Sequence, residues 1–162
     1  MYRNILVPLD GSRVAESILR RIAGLARDHG AKLTLLGVVH PFGEWLPQPS
    51  IGSLRPSGER HEARLMRYLN AVAMFLELGR VEAQPEIVSG HLPLQILAEA
   101  RERGCDLIAL LVHENAALGR GILGAMADAA LGQSDPSIML VFPQSARQCW
   151  EPETSMVLSA KE

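Results

Sequence analysis

Residues 106–128 read Asp106-Leu107-Ile108-Ala109-Leu110-Leu111-Val112, then His113-Glu114-Asn115-Ala116-Ala117-Leu118-Gly119-Arg120-Gly121, then Ile122-Leu123-Gly124-Ala125-Met126-Ala127-Asp128. The first run is apolar without alternation and predicts a strand buried on both faces. The second is a loop with two glycines, and the third has the spacing of an amphipathic helix. A loop passing from a strand into a helix N-terminus is where open α/β proteins receive anions and nucleotides.

The flanking chain repeats this alternation. Asn4–Leu9 is a short apolar run that predicts a central parallel strand, ended by Asp10-Gly11-Ser12. Ser12 is placed to cap a helix in which Ala15, Ile18, Leu19, Ile22, Ala23 and Ala26 share one face, closed by His29-Gly30. Lys32–Val39 predicts a second strand, ended by His40-Pro41. A loop rich in proline and glycine, Phe42–Gly58, follows with Trp45 and Leu46 as its apolar members. Glu59–Leu78 predicts a helix facing inward through Leu65, Leu69, Val72 and Leu76. Val81–Val88 predicts a third strand, with Pro85 marking a sheet edge. Pro93 stands in the first turn of a third helix whose inner face is Ile96, Leu97 and Ala100. Asp106–Val112, Gly121–Gln133 and Ser137–Phe142 predict the fourth strand, fourth helix and fifth strand. Alternation of this kind gives an open, five-stranded parallel α/β sheet with helices on both faces.

Composition sets the bounds. The 162 residues, 48% hydrophobic and 21% charged, suit one α/β domain with a sizeable core. Sixteen basic against eighteen acidic residues give a net charge of −2, which argues against nucleic acid as a partner. The two cysteines, Cys105 and Cys149, lack metal-ligand spacing, and a reducing cytoplasm is the compartment they predict. No signal peptide and no membrane-inserting segment is expected. The expected organisation is a domain over residues 1–142 and a C-terminal tail, Pro143–Glu162, with Trp150 and Met156-Val157-Leu158 as its apolar members.

The sequence resembles the universal stress protein family. Asn4-Ile5-Leu6-Val7-Pro8-Leu9-Asp10-Gly11-Ser12 looks like that family's opening strand and turn, and Leu33–Pro41 like its second strand. Ser89-Gly90-x-x-Pro93-x-x-Ile96, Gly104-x-Asp106-Leu107-Ile108 and Ile138–Val141 resemble three later motifs, in the same order. The resemblance implies a flavodoxin-like, adenine nucleotide alpha hydrolase-like sheet with strand order 3-2-1-4-5. It also implies a homodimer paired through the last strand, Ile138–Phe142, a protein partner of unknown identity, and ATP or AMP as candidate ligands.

Family members that bind ATP carry Gly, two residues, Gly, nine residues, then Gly-Ser or Gly-Thr after the fourth strand. Anchored on Gly124, these positions hold Leu111, Glu114, Gly124 and Ala125. Side chains at Leu111 and Glu114 obstruct backbone approach to phosphate. Glu114 adds a repelling carboxylate, and Ala125 has no hydroxyl to donate. ATP binding of the usual type is therefore expected to be weak or absent, and no cofactor is required. The letters Gly119-Arg120-Gly121-Ile122-Leu123-Gly124 match a dinucleotide fingerprint, but Glu114–Leu118 separate them from their strand and the strand is the fourth rather than the first. What remains is a helix N-terminus beside Arg120, suited to a smaller anion.

Three functions stay open at the level of sequence. The first is a non-enzymatic stress-response regulatory or interaction module with weak or absent ATP binding. The second is an adenine nucleotide sensor for AMP, ADP or ATP with a revised phosphate loop. Its candidate residues are Pro8, Asp10, Val39, Leu110, Arg120, Gly121, Gly124, Ala125 and Met126. The third is an enzyme or metal site at Asp10, His40 and His113, which all follow strand ends. The plainer reading of that trio is one carboxylate shaping a turn and two loop histidines. No catalytic motif or metal-binding spacing is present in the sequence.

Overall fold

The structure, a computed structural model, describes residues 1–12, 18–39, 58–111, 124 and 136–141. It contains strands β1 (Asn4–Pro8), β2 (Lys32–Val39), β3 (Ala83–Ser89), β4 (Leu107–Leu111) and β5 (Ser137–Val141). Between them lie helices α1 (Leu19–His29), α2 (Gly58–Leu78) and α3 (Leu92–Glu102). The strands form one five-stranded sheet in the order β3-β2-β1-β4-β5, with every neighbouring pair parallel. The predicted loop Phe42–Gly58 up to residue 57, the predicted helix Gly121–Gln133 apart from Gly124, and the tail Pro143–Glu162 lie outside the described residues. So do residues 13–17, which the predicted cap at Ser12 was to serve.

The period of two along each strand sorts side chains onto two faces. Ile5, Val7, Leu33, Leu35, Leu107 and Ala109 point to one face and pack with Leu19, Ile22, Leu69 and Leu76 from α1 and α2. Leu6, Leu36, Ile108 and Leu110 point to the other and pack with Ile96, Leu97 and Ala100 of α3. Helices thus cover both faces, and the central strands are apolar on both sides because each is buried on both. Pro85 sits on β3, an edge strand, as predicted.

Local chemistry fixes the ends of these elements. Gly30 takes a left-handed φ of 65° and its N–H caps the carbonyls of Ala26 and Arg27, while Arg27 and His29 place basic groups in the last turn of α1. Pro93 occupies the first turn of α3, where a missing N–H costs nothing. Inside the fold, Gly37 lets α2 come close to β2. A Cβ there would stand 2.7 Å from Leu65 Cδ2 and 3.1 Å from Leu69 Cδ1.

Candidate functional site in the crevice between the first and fourth strands

The order of the strands reverses at β1. From β1 the chain moves outward through β2 to β3, then returns to the other side of β1 as β4. Such a switch point leaves a crevice at the C-terminal ends of the two strands. Their N-terminal ends are tied together. The Asp106 carboxylate accepts the N–H groups of Arg3 at 2.7 Å and Asn4 at 3.3 Å, and Asn4 Nδ2 donates to the Gly104 carbonyl.

At the other end the strands separate. β1 stays in register with β2 from Asn4↔Lys32 to Pro8↔Leu36, whereas its pairing with β4 ends at Leu6↔Ile108. Proline explains the stop. Lys32 N–H donates to Arg3 and Leu9 N–H donates to Leu36, so odd residues of β1 bond to β2 and even residues turn toward β4. The next pair, Val7 with Ala109, needs an N–H at residue 8, which a proline does not have. A parity rule also holds on β4. Ser137 N–H donates to the Asp106 carbonyl, so even residues bond to β5 and the backbones of Ala109 and Leu111 face the crevice.

The turn after β1 forms the crevice's near wall. Asp10 is exposed, and its Oδ1 accepts the Ser12 N–H at 2.8 Å. This Asx turn needs the left-handed φ of 81° at Gly11. Leu65 and Tyr68 of α2 come within 4 Å of where a Gly11 Cβ would stand. Asp10 therefore shapes the turn with one carboxylate oxygen.

The predicted site residues divide on these facts. Pro8 and Asp10 stand at the crevice. Val39 and Leu110 do not present side chains to it: both are 8% exposed, Val39 among the residues beneath α1 and α2 and Leu110 in the cluster under α3. The Val39 carbonyl is also taken, by the N–H of Gly90 at 3.0 Å. Gly124 is exposed, and a Cβ added there would meet nothing within 4 Å. Arg120, Gly121, Ala125, Met126, His40 and His113 lie outside the described residues. Among the described residues no group of three or more His, Cys, Asp or Glu converges as a metal site. Ala109 carries no signal in the sequence. Only the hydrogen-bond parity of β4 reveals it, and the parity depends on β5.

Comparison with known proteins gives the geometry its context. The model of the universal stress protein family matches residues 1–141. A putative universal stress protein of Staphylococcus epidermidis is 23% identical over 156 residues, covering 95% of this chain and 92% of its own. A universal stress protein of Synechocystis is 32% identical over 117 residues, covering 68% of this chain and 66% of its own. Among solved structures, a universal stress protein family member from Burkholderia pseudomallei aligns with a TM-score of 0.65 at 21% identity, over 88% of this chain and 97% of its own. A universal stress protein in complex with cAMP aligns at 0.62 and 18% identity, over 88% and 98%. An Arabidopsis thaliana family protein with AMP bound aligns at 0.60 and 14%, over 88% and 93%. The reversed sheet, the order of the motifs and the match over residues 1–141 together mean that this chain belongs to the universal stress protein family.

Proposed function

We propose that this protein is a non-catalytic stress-response module, acting in the cytoplasm as a homodimer through the edge strand β5, whose crevice does not hold ATP as a triphosphate. The supporting observation is the chemistry at the two strand ends. Over Pro8–Ser12 and Ala109–Leu111 the one charged side chain is Asp10, and no cation stands there. Leu111, in the place of the family's first loop glycine, is half-buried against the core beneath α1 and α2. A polyphosphate brought there meets a carboxylate and an apolar side chain, with Glu114 three residues beyond Leu111 in sequence. Coulomb repulsion and steric bulk both oppose it. Isothermal titration with ATP and magnesium tests this reading: no saturable heat is expected, and micromolar affinity removes it.

A second reading is an adenine mononucleotide sensor. It draws on the relatives crystallised with cAMP and AMP and on the crevice-facing backbone of Ala109 and Leu111, which can hydrogen-bond a base. In this reading the single phosphate goes to the segment Arg120–Ala125, where the sequence predicts a helix N-terminus. Thermal unfolding with AMP discriminates the two. A saturable rise in Tm, weakened by Arg120→Ala, supports the sensor; no response at millimolar AMP leaves the interaction module.

A further inference from the structure

Along the helix layer, α1 and the last two turns of α2 border a groove of about 330 Å³. Leu76 and Val81 form its buried floor, and Phe75 and Leu78 its wall on α2. The opposite wall on α1 carries Arg20 and Arg27, the two ionisable residues that line it. The arginines are seven residues apart, so they project from one side of α1 about 10 Å from each other. Arg27 Nε is engaged by the Ala23 carbonyl at 3.2 Å, which orients its guanidinium along the helix.

The helix beside the groove is unusual for a solvated face. Ala71, Met74 and Leu78 are exposed, Met74 by 67% and Leu78 by 84%, at spacings of three and four residues. Of the three, Leu78 lines the groove, and a helix face meant for water carries charge at such positions. A hydrophobic groove is the feature with which proteins receive the apolar face of an amphipathic helix. The flanking charge decides which kind. Both lining cations lack a carboxylate of this chain within salt-bridge distance among the described residues. Asp28 and Glu77 stand outside the groove.

We propose that this groove is the docking site for an acidic amphipathic helix of a partner protein. Its apolar residues pack on Phe75, Leu78 and Met74, and carboxylates two turns apart meet Arg20 and Arg27. The surface shares no residue with the crevice, so the proposal stands independently of what binds there.

The test uses the full chain and a fluorescent helical peptide of about 14 residues, with two leucines between glutamates spaced two turns apart. Saturable binding is expected by anisotropy, about tenfold weaker for the R20E/R27E variant and for Leu78→Ser. A peptide with lysine in place of the glutamates should bind R20E/R27E in preference to the wild-type chain. Arg20, Arg27 and Leu78 are exposed, and circular dichroism reports whether the fold is kept. No saturable binding, or equal binding of the glutamate and lysine peptides by the wild-type chain, overturns the proposal. Binding that appears only after Met156→Ser/Leu158→Ser gives the groove to the chain's own tail instead. Self-association lost on Leu78→Ser, without peptide binding, gives it to a second copy. An unchanged AMP response in R20E/R27E keeps this result separate from the reading of the crevice.

Discussion

At Gly37 the helix α2 presses on the sheet, and the residue carries no functional signature in the sequence. Its replacement by alanine puts a methyl group 2.7 Å from Leu65 and 3.1 Å from Leu69. Gly37→Ala is expected to lower unfolding free energy by about 1–3 kcal/mol, measured by urea denaturation, because a packed core resists added volume. Cys105 makes a second prediction. Burial pushes its thiol above the ordinary value, offset in part by a hydrogen bond with Thr34 and by the charge of Arg103. The folded state therefore keeps this proton longer than the unfolded chain does. Its contribution to stability is present below the unfolded thiol's pKa and is lost as pH rises through the folded one. The stability difference between the wild-type chain and Cys105→Ala should thus shrink as pH rises from about 8 to 10. Val39 and Leu110, candidate ligand residues in the sequence, have buried side chains, and a strand end read alone cannot say on which side its backbone is already bonded.

At the scale of elements, helix faces were readable because periodicity is local. Leu65, Leu69, Val72 and Leu76 are all buried, as are Ile96, Leu97 and Ala100. Long-range polar structure was not readable. The Glu99 carboxylate, 9% exposed, is held by Arg103 at 2.8 Å, and Arg103 also reaches Glu86 on β3 at 3.0 Å. Residues 86 and 103 look like ordinary surface charges until the sheet brings them together. The same distinction applies to β5, which the family resemblance makes an edge strand that pairs in a homodimer. Ser137 N–H bonds to β4, so the N–H groups of Ile138 and Leu140 turn to the open edge. Leu140→Pro removes an outward donor and leaves the ladder to β4 in place. If β5 pairs the homodimer, this variant should sediment as a folded monomer while the wild-type chain sediments as a dimer. A variant that stays dimeric would move the interface elsewhere.

For the whole molecule, strand order was available only through the family resemblance, since alternating elements alone allow several right-handed arrangements. The observed order β3-β2-β1-β4-β5 agrees with it and puts the crevice beside Pro8. What the crevice does was less readable. A fold shared across a family does not fix the ligand, which depends on individual loop residues. Leu111, Glu114 and Ala125 are therefore the residues on which the proposed loss of triphosphate binding turns. The direct measurement is calorimetric titration of ATP with magnesium into the wild-type chain and into the E114G/A125S variant. The variant removes one carboxylate and restores a backbone approach and a hydroxyl, and it leaves the partly buried Leu111 untouched. No saturable heat is expected for the wild-type chain and measurable binding for E114G/A125S; micromolar binding of ATP by the wild-type chain would contradict a crevice closed to the triphosphate.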